Sequence, residues 1–489
     1  MTKYFISILL LFFIGKNADA AYDLNDNLRQ AWVLLIDFDF SMAKQIIANE
    51  IKDKPDNYYA YYLDQTCDAY ELLLDSDDDA YEEFLDKYYE RRDIMDDKDA
   101  DSPYYLSCLA EMELQAGIFN IIHGDRLSGL RKAYSAYKDT YRNLEKHPEF
   151  KPSLKLDGFF NVAVDNLPPF VKFAVSAFGV SGDADHGFDL LLKNFDAQKN
   201  QKGINAESAL FVVLSAKLNK TPGKVYDFTH QLDKSIADLF AHQYFRANIE
   251  FRTGNNEQAL NTLREINIEQ KPGAELIYNY LMGKVLLNKL DFNAGYYLKR
   301  YLSASKKKEY VKEINYKLAI FYLINNNKDK FNELKEVVLN DGNDINERDR
   351  EALYDANLDY TPDLCLTKAH LLIDGGYYDE YQSEIQVYKA INNDFLPYKL
   401  EYYLIEGKAA ELKNNYQLAV KNYKNLIDKG SDEDYYFACE AALRCGILFE
   451  KSGKAETAKK YFEKSLKLYD GDYYEYLESR AKKGLKRLE

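Results

Sequence analysis

A small residue followed twelve positions later by a second small residue recurs along this chain: Gly446 with Ala458, Gly407 with Ala419, Gly283 with Gly295, Ala247 with Ala259 and Ala31 with Ala43. Small side chains on two consecutive helices let their backbones approach closely, so the spacing restricts the chain to antiparallel helix pairs. Around the last pair a whole register can be written. With the small residues at positions 8 and 20, Phe449, Phe462 and Ser465 fall at 11, 24 and 27, and Ser452-Gly453-Lys454 make the turn. The large residues at 11 and 24 then fill the layer between pairs.

That register is the packing signature of a tetratricopeptide repeat (TPR), a helix pair of about 34 residues that stacks on copies of itself. Further copies open at Gly407, Gly283 and Ala247, the last with a turn at Thr253-Gly254-Asn255. Weaker copies open at Ala319, and at Ala369, where Tyr381 occupies the second small position. The long step from Ala319 to Ala369 implies an insertion between Asn340 and Thr361. Near the N-terminus Ala31, Leu34, Ala43 and Ile47 fit, and Pro55 stops the second helix; Gly117 and Gly129 mark another pair. No alternating strand pattern competes. The expected fold is all-α, a right-handed solenoid of helical hairpins.

Residues 1–20 read as a secretory signal peptide: basic Lys3, an apolar run from Tyr4 to Ile14, and the cleavage site Ala18-Asp19-Ala20 ahead of Ala21. The run is shorter than the roughly 20 residues that span a bilayer; an uncleaved anchor or a buried first helix is the alternative. The 489-residue chain has 64 Lys and Arg against 80 Asp and Glu, which disfavours nucleic acid as a partner. Its expected place is periplasmic or secreted. Five cysteines, sparse and odd in number, do not make a disulfide framework. Cys439 and Cys445, six apart on one helix, would lie about 9 Å apart, too far to bridge. All five read as core residues. The 43 tyrosines, many doubled, either fill aromatic repeat positions or line a groove for a peptide or glycan.

Residues 156–192 break the pattern. Between Phe159 and Val180 only Asp165 and Lys172 are charged, and Pro168-Pro169 must end one helix and can open the next. The expectation is an apolar helical hairpin cornered at the prolines, either buried as a joint or exposing Phe159, Phe170 and Phe173 to a lipid surface or partner. The domains expected are therefore 1–20, an N-terminal TPR-like region 21–150, the hairpin 151–195 and a C-terminal TPR solenoid 196–489. Phe160-Asn161, Leu167-Pro168-Pro169, Gly179-Val180-Ser181-Gly182-Asp183 and Gly187, preceded by Leu130-Arg131-Lys132-Ala133-Tyr134, resemble the signature of a eukaryotic TPR family. That family includes the inclusion body clearance protein of the mitochondrial outer membrane and related animal TPR proteins. With its leader, this chain resembles an exported, bacterial version. The resemblance implies an all-α interaction protein of a kind that can sit at a membrane surface, with no catalytic residues to carry over.

No catalytic, cofactor or metal motif emerges. Asp97-Lys98-Asp99-Ala100-Asp101 starts like a calcium loop, but Ser102 and Cys108 stand where Gly and the bidentate Glu are needed; Asp101 or Ser102 instead suits a cap for the helix that Pro103 opens. Asp75-Ser76-Asp77-Asp78-Asp79 reads as a helix break, and Asp183 and Asp185 beside His186 as a helix start. The functional expectation is an exported, non-enzymatic scaffold that binds a protein or peptide along the first helices of its repeats. Tyr280, Lys284, Asn288, Lys408, Leu412 and Lys451 would face that groove; the alternative for each is an ordinary solvated helix face. Other readings are a protein meeting a lipid or membrane surface through the 158–187 hairpin, or one that captures a glycan or other ligand with stacked tyrosines.

Overall fold

The computed structural model describes residues 21–488 apart from 75–77, 168, 220, 306–308, 345, 392, 470 and 472–473, and omits the side chains at 169, 170, 174 and 272. The apolar leader 1–20 lies outside the described residues. These hold twenty-six α-helices and no strand. Two compact units form: one takes the chain up to Leu72 together with Asp78–Ser215, the other Leu73–Asp77 together with Ala216–Glu489.

In the first unit the helices are α1 (Asp26–Ile36), α2 (Phe40–Asp53), α3 (Tyr58–Leu74), α4 (Asp78–Met95), α5 (Pro103–Ile122), α6 (Arg126–Lys146), α7 (Ser153–Asp165), α8 (Pro169–Ser176), α9 (Ala184–Gln198) and α10 (Ile204–Leu218). In the second they are α11 (Tyr226–His230), α12 (Lys234–Ala237), α13 (Phe240–Arg252), α14 (Asn256–Glu265), α15 (Glu275–Asn288), α16 (Ala294–Ala304), α17 (Val311–Ile324), α18 (Lys328–Asn340), α19 (Glu347–Asn357) and α20 (Leu364–Gly375). It continues through α21 (Tyr378–Ile391), α22 (Leu396–Leu412), α23 (Tyr416–Gly430), α24 (Phe437–Lys451), α25 (Ala455–Leu468) and α26 (Tyr476–Arg487).

The small-residue pairs sit where consecutive helices touch. Ala31, Ala43, Ala247, Ala259, Ala419 and Ala458 are fully buried. A methyl group added at Gly446 would stand 2.6 Å from the Phe462 ring, and one at Gly283 would stand 2.7 Å from Leu298. Those distances leave no room for a side chain, so the glycines record helix contact rather than flexibility.

The turns share one geometry. The residue seven positions after the first small residue has positive φ in eight pairs: Phe38, Gly124, Gly254, Leu290, Asn326, Gly376, Asn414 and Gly453. In seven of them the next N–H donates to the carbonyl five residues back, as in Asn415 to Ala410 and Lys454 to Phe449, at 2.8–2.9 Å. This is the helix-ending bond of a Schellman motif. Asp39, Asn327 and Asn415 then use their side chains to cap the second helix. At Asp39, Asn327 and Asn415 one residue therefore stops one helix and starts the next, and seven of the eight pairs close with the same bond although only four of the eight carry glycine at the left-handed position. The fold is an all-α TPR-like solenoid.

Two departures matter. The insertion after Asn340 is a helix, α19, capped by Asn346. The apolar segment is three helices rather than two arms. α7 packs on α9, backbone to backbone: a methyl at Gly158 would stand 2.8 Å from the Gly187 carbonyl oxygen, and one at Gly182 would stand 2.6 Å from that of Asn161. Asp183 caps α9 by accepting the N–H groups of Asp185 and His186. Asn161, Gly182, Asp183 and Gly187 of the sequence motif are thus the contacts of one helix pair, with short α8 between its members. Ser102 and Pro103 open α5 as cap and first residue, and all five cysteines are buried thiols.

Candidate functional site

Within the second unit the first helices of the repeats are joined by a ladder of ion pairs. Counting from the small residue at position 8, in three of the five steps between repeats a basic residue at position 9 meets an acidic residue at position 2 of the next repeat. Lys284 Nζ lies 2.6 Å from Glu313 Oε1, His370 Nδ1 3.7 Å from Glu401 Oε1, and Lys408 Nζ 3.9 Å from Glu440 Oε1. Neighbouring rungs connect, since Lys408 Nζ is also 2.9 Å from His370 Nε2 and 3.6 Å from Asp374. Arg444 reaches Glu440 at 2.7 Å and Glu411 at 3.3 Å.

The rungs are enclosed, and their protonation follows. Burial pushes Lys284 down to about 8, helped by the cations Arg348 and Lys317 and opposed by Glu313. Burial would raise Glu313 and Glu440, but the cations facing each hold both at about 2. Near neutral pH Lys284, Glu313 and Glu440 are therefore charged. The inserted α19 completes this face. Asp349, fully buried, accepts the N–H of Tyr310 at 2.6 Å and of Glu313 at 2.9 Å and so caps α17. Asp355 accepts the Tyr474 hydroxyl at 2.9 Å, and burial pushes its carboxyl up to about 7.

Of the six residues expected to face a groove, Tyr280 and Lys284 both bond Glu313, at 2.6 Å each. Asn288 is buried beside Gly375, Lys408 belongs to the ladder, and Leu412 and Lys451 are exposed at the ends of their helices. Phe173 is 81 % exposed; Phe159 is half-buried against Phe160 and Phe211; the Phe170 side chain lies outside those described. Sequence reasoning missed Glu313, His370, Glu401 and Glu440. The signal was present as a basic residue at position 9 followed by an acidic one at position 2 of the next copy.

An open cleft lies nearby, between α21, α22 and α23, with a volume of about 320 Å³. Tyr381, Ile385, Ala409 and Ala410 are its buried wall, and Leu418 stands 43 % exposed in its lining. Two exposed lysines line it. Lys413 Nζ sits 3.8 Å above the Tyr378 ring, and Lys389 Nζ 3.4 Å from Glu406. Glu406 also accepts the Tyr381 hydroxyl, and burial together with that bond raises the Tyr381 hydroxyl far above its usual range.

No family model matches the chain, and no curated protein matches it. Solved structures of TPR-repeat proteins do align over most of its length. One is the human IFIT1 dimer with PPP-AAAA, at 13 % identity over 91 % of this chain and 95 % of that one, with a TM-score of 0.34. Another is the APC/C hetero-tetramer Cut9–Hcn1, at 10 % identity over 95 % of this chain and 96 % of that one, with a TM-score of 0.23. Scores that low carry nothing about a shared site, and the fold assignment stands on this chain's own helix pairs.

Proposed function

We propose that the chain is an exported, non-enzymatic TPR scaffold that holds a segment of another protein, and that the cleft of α21–α23 is its seat. The cleft itself carries the reading. An apolar wall, an exposed leucine and two lysines suit a peptide that offers an apolar side chain to the wall and a carboxylate to the lysines. The ladder supports a frame rather than a reaction centre, because its lysines and carboxylates are committed to one another. Export is supported by the leader motif of Lys3, the apolar run Tyr4 to Ile14 and Ala18-Asp19-Ala20.

The test is affinity purification of the tagged chain and of its L412E/L418E variant from the cells that make it. Both positions are exposed, so the variant folds. The reading expects one or a few proteins with the parent chain and at least tenfold less of them with the variant. Equal recovery with both would sink the cleft as the seat.

A further inference from the structure

A second surface, in the first unit, has no covering element among the described residues. On α6 the residues Leu127, Leu130, Arg131, Tyr134 and Lys138 follow the spacing of a single helical stripe. All five are exposed, Leu127 by 63 % and Leu130 by 50 %. The opposite stripe, Gly129, Ala136, Thr140 and Asn143, is the buried one. The α8 segment adds Phe173 and Phe178, 81 % and 70 % exposed, and the Phe178 ring meets Tyr134 edge-on at 6.1 Å. Scattered exposed leucines are ordinary, but two leucines and Tyr134 on one stripe, joined through the Tyr134–Phe178 contact to a segment that exposes two phenylalanines, make a patch.

The charge of the patch runs against the charge of the chain. The net charge of the whole sequence is −16, yet α6 carries Arg126, Arg131, Lys132, Lys138, Arg142 and Lys146 against only Asp139 and Glu145. Arg142 pairs with Asp139 and Lys146 with Asp101. Among the described residues no carboxylate stands at ion-pair distance from Arg126, Arg131 or Lys138, and Lys138 Nζ instead lies 5.2 Å over the Tyr134 ring. Protruding phenylalanines and leucines with cations interleaved are the chemistry of an interfacial helix: apolar tips enter the acyl boundary while the cations meet lipid phosphates.

We propose that the outward stripe of α6 and the α8 segment dock the protein onto an anionic lipid bilayer. The proposal does not rest on the cleft of the second unit. No helix among the described residues is long and apolar enough to cross a membrane, so the contact would be peripheral.

Co-sedimentation of the chain from Ala21 onward with vesicles of phosphatidylglycerol, and with vesicles of phosphatidylcholine, tests it. Stronger partition into the anionic vesicles is expected. Each basic residue at such a surface is worth about fivefold, so R131E/K138E should weaken binding by about 25-fold or more, and F173S/F178S by at least tenfold. All four positions are exposed, so circular dichroism of the variants should match the parent. Trp32, the one tryptophan, is fully buried, which makes F173W a clean reporter: its emission should shift to the blue on adding anionic vesicles. No binding to phosphatidylglycerol at low salt, or binding that both double variants retain, would overturn the proposal. Self-association abolished by F173S/F178S, without vesicle binding, would assign the patch to a second copy of the chain and overturn it equally.

Discussion

Phe462 is the most tightly held ring of the C-terminal repeat and offers a test of the packing argument. It is fully buried, and methyl groups at Gly446 on α24 and Gly484 on α26 would each stand 2.6 Å from it. Gly446→Ala has two opposed effects. Replacing a mid-helix glycine by alanine gains about 0.5–1 kcal/mol. Forcing the methyl into a filled layer costs about 1–3 kcal/mol. The variant should therefore lose up to about 2.5 kcal/mol. Phe462→Ala should cost about 3–5 kcal/mol, but it empties the space the methyl needs. In that background Gly446→Ala should stabilise, by about 0.5–1 kcal/mol from the helix preference alone. The sign reversal is the prediction, and a double-mutant cycle reads it. Guanidinium unfolding followed by circular dichroism gives the four stabilities, and amide exchange in α24 and α25 checks that the change is local. If Gly446→Ala destabilises equally in both backgrounds, the glycine is not there to admit the ring.

Other expectations follow from the ladder and the leader. Asp355 has its carboxyl raised from 3.8 to about 7, so between about pH 4 and 7 the folded state binds a proton that the unfolded state has released, and stability falls as pH rises through that window. D355N keeps an acceptor for Tyr474 and should abolish that slope, leaving the second unit about 2–4 kcal/mol more stable at pH 8 and little changed at pH 4; parallel pH profiles for parent and variant would refute it. Lys284→Met takes the directly bonded cation from the buried Glu313 carboxylate, leaving it Tyr280 and the Arg348 charge, and should cost about 3 kcal/mol, whereas K284M/E313L should recover most of that loss; thermal melts of the two variants decide. Mass spectrometry of the exported protein should find Ala21 as the first residue, and an intact Met1 in mature material would contradict the signal-peptide reading.

The helix pairs were legible because their signal is local. Positions 8 and 20 are twelve residues apart and report one contact between neighbours, and the left-handed residue at Asn414 or Gly453 follows from the same register. Tyr381, large where a small residue was expected, is accommodated by turning its hydroxyl to Glu406. The inserted α19 was read only as a polar interruption, since its helix is held by distant partners: Asp355 bonds Tyr474 and Arg350 pairs with Glu475 at 2.8 Å. The ladder was obscured for a related reason. Lys284 and Lys408 look like solvated residues on a groove until their partners, one repeat further along, are brought alongside. Phe159 and Phe173 share one apolar stretch of sequence, but α7 turns Phe159 onto Phe211 while α8 leaves Phe173 in solvent.

The cleft as a seat for a partner is tested most directly by a photo-crosslinking amino acid placed in turn at Gln382, Gln386, Leu412 and Leu418, with Lys460 on α25 as an exposed control, in the cells that make the protein. Gln382, Gln386 and Leu418 line the cleft, and Leu412 precedes Lys413, which also lines it. The account predicts one shared covalent partner at the four cleft positions and none of it at 460. The same products at 460 as at the cleft, or cross-links only within the chain, would contradict it.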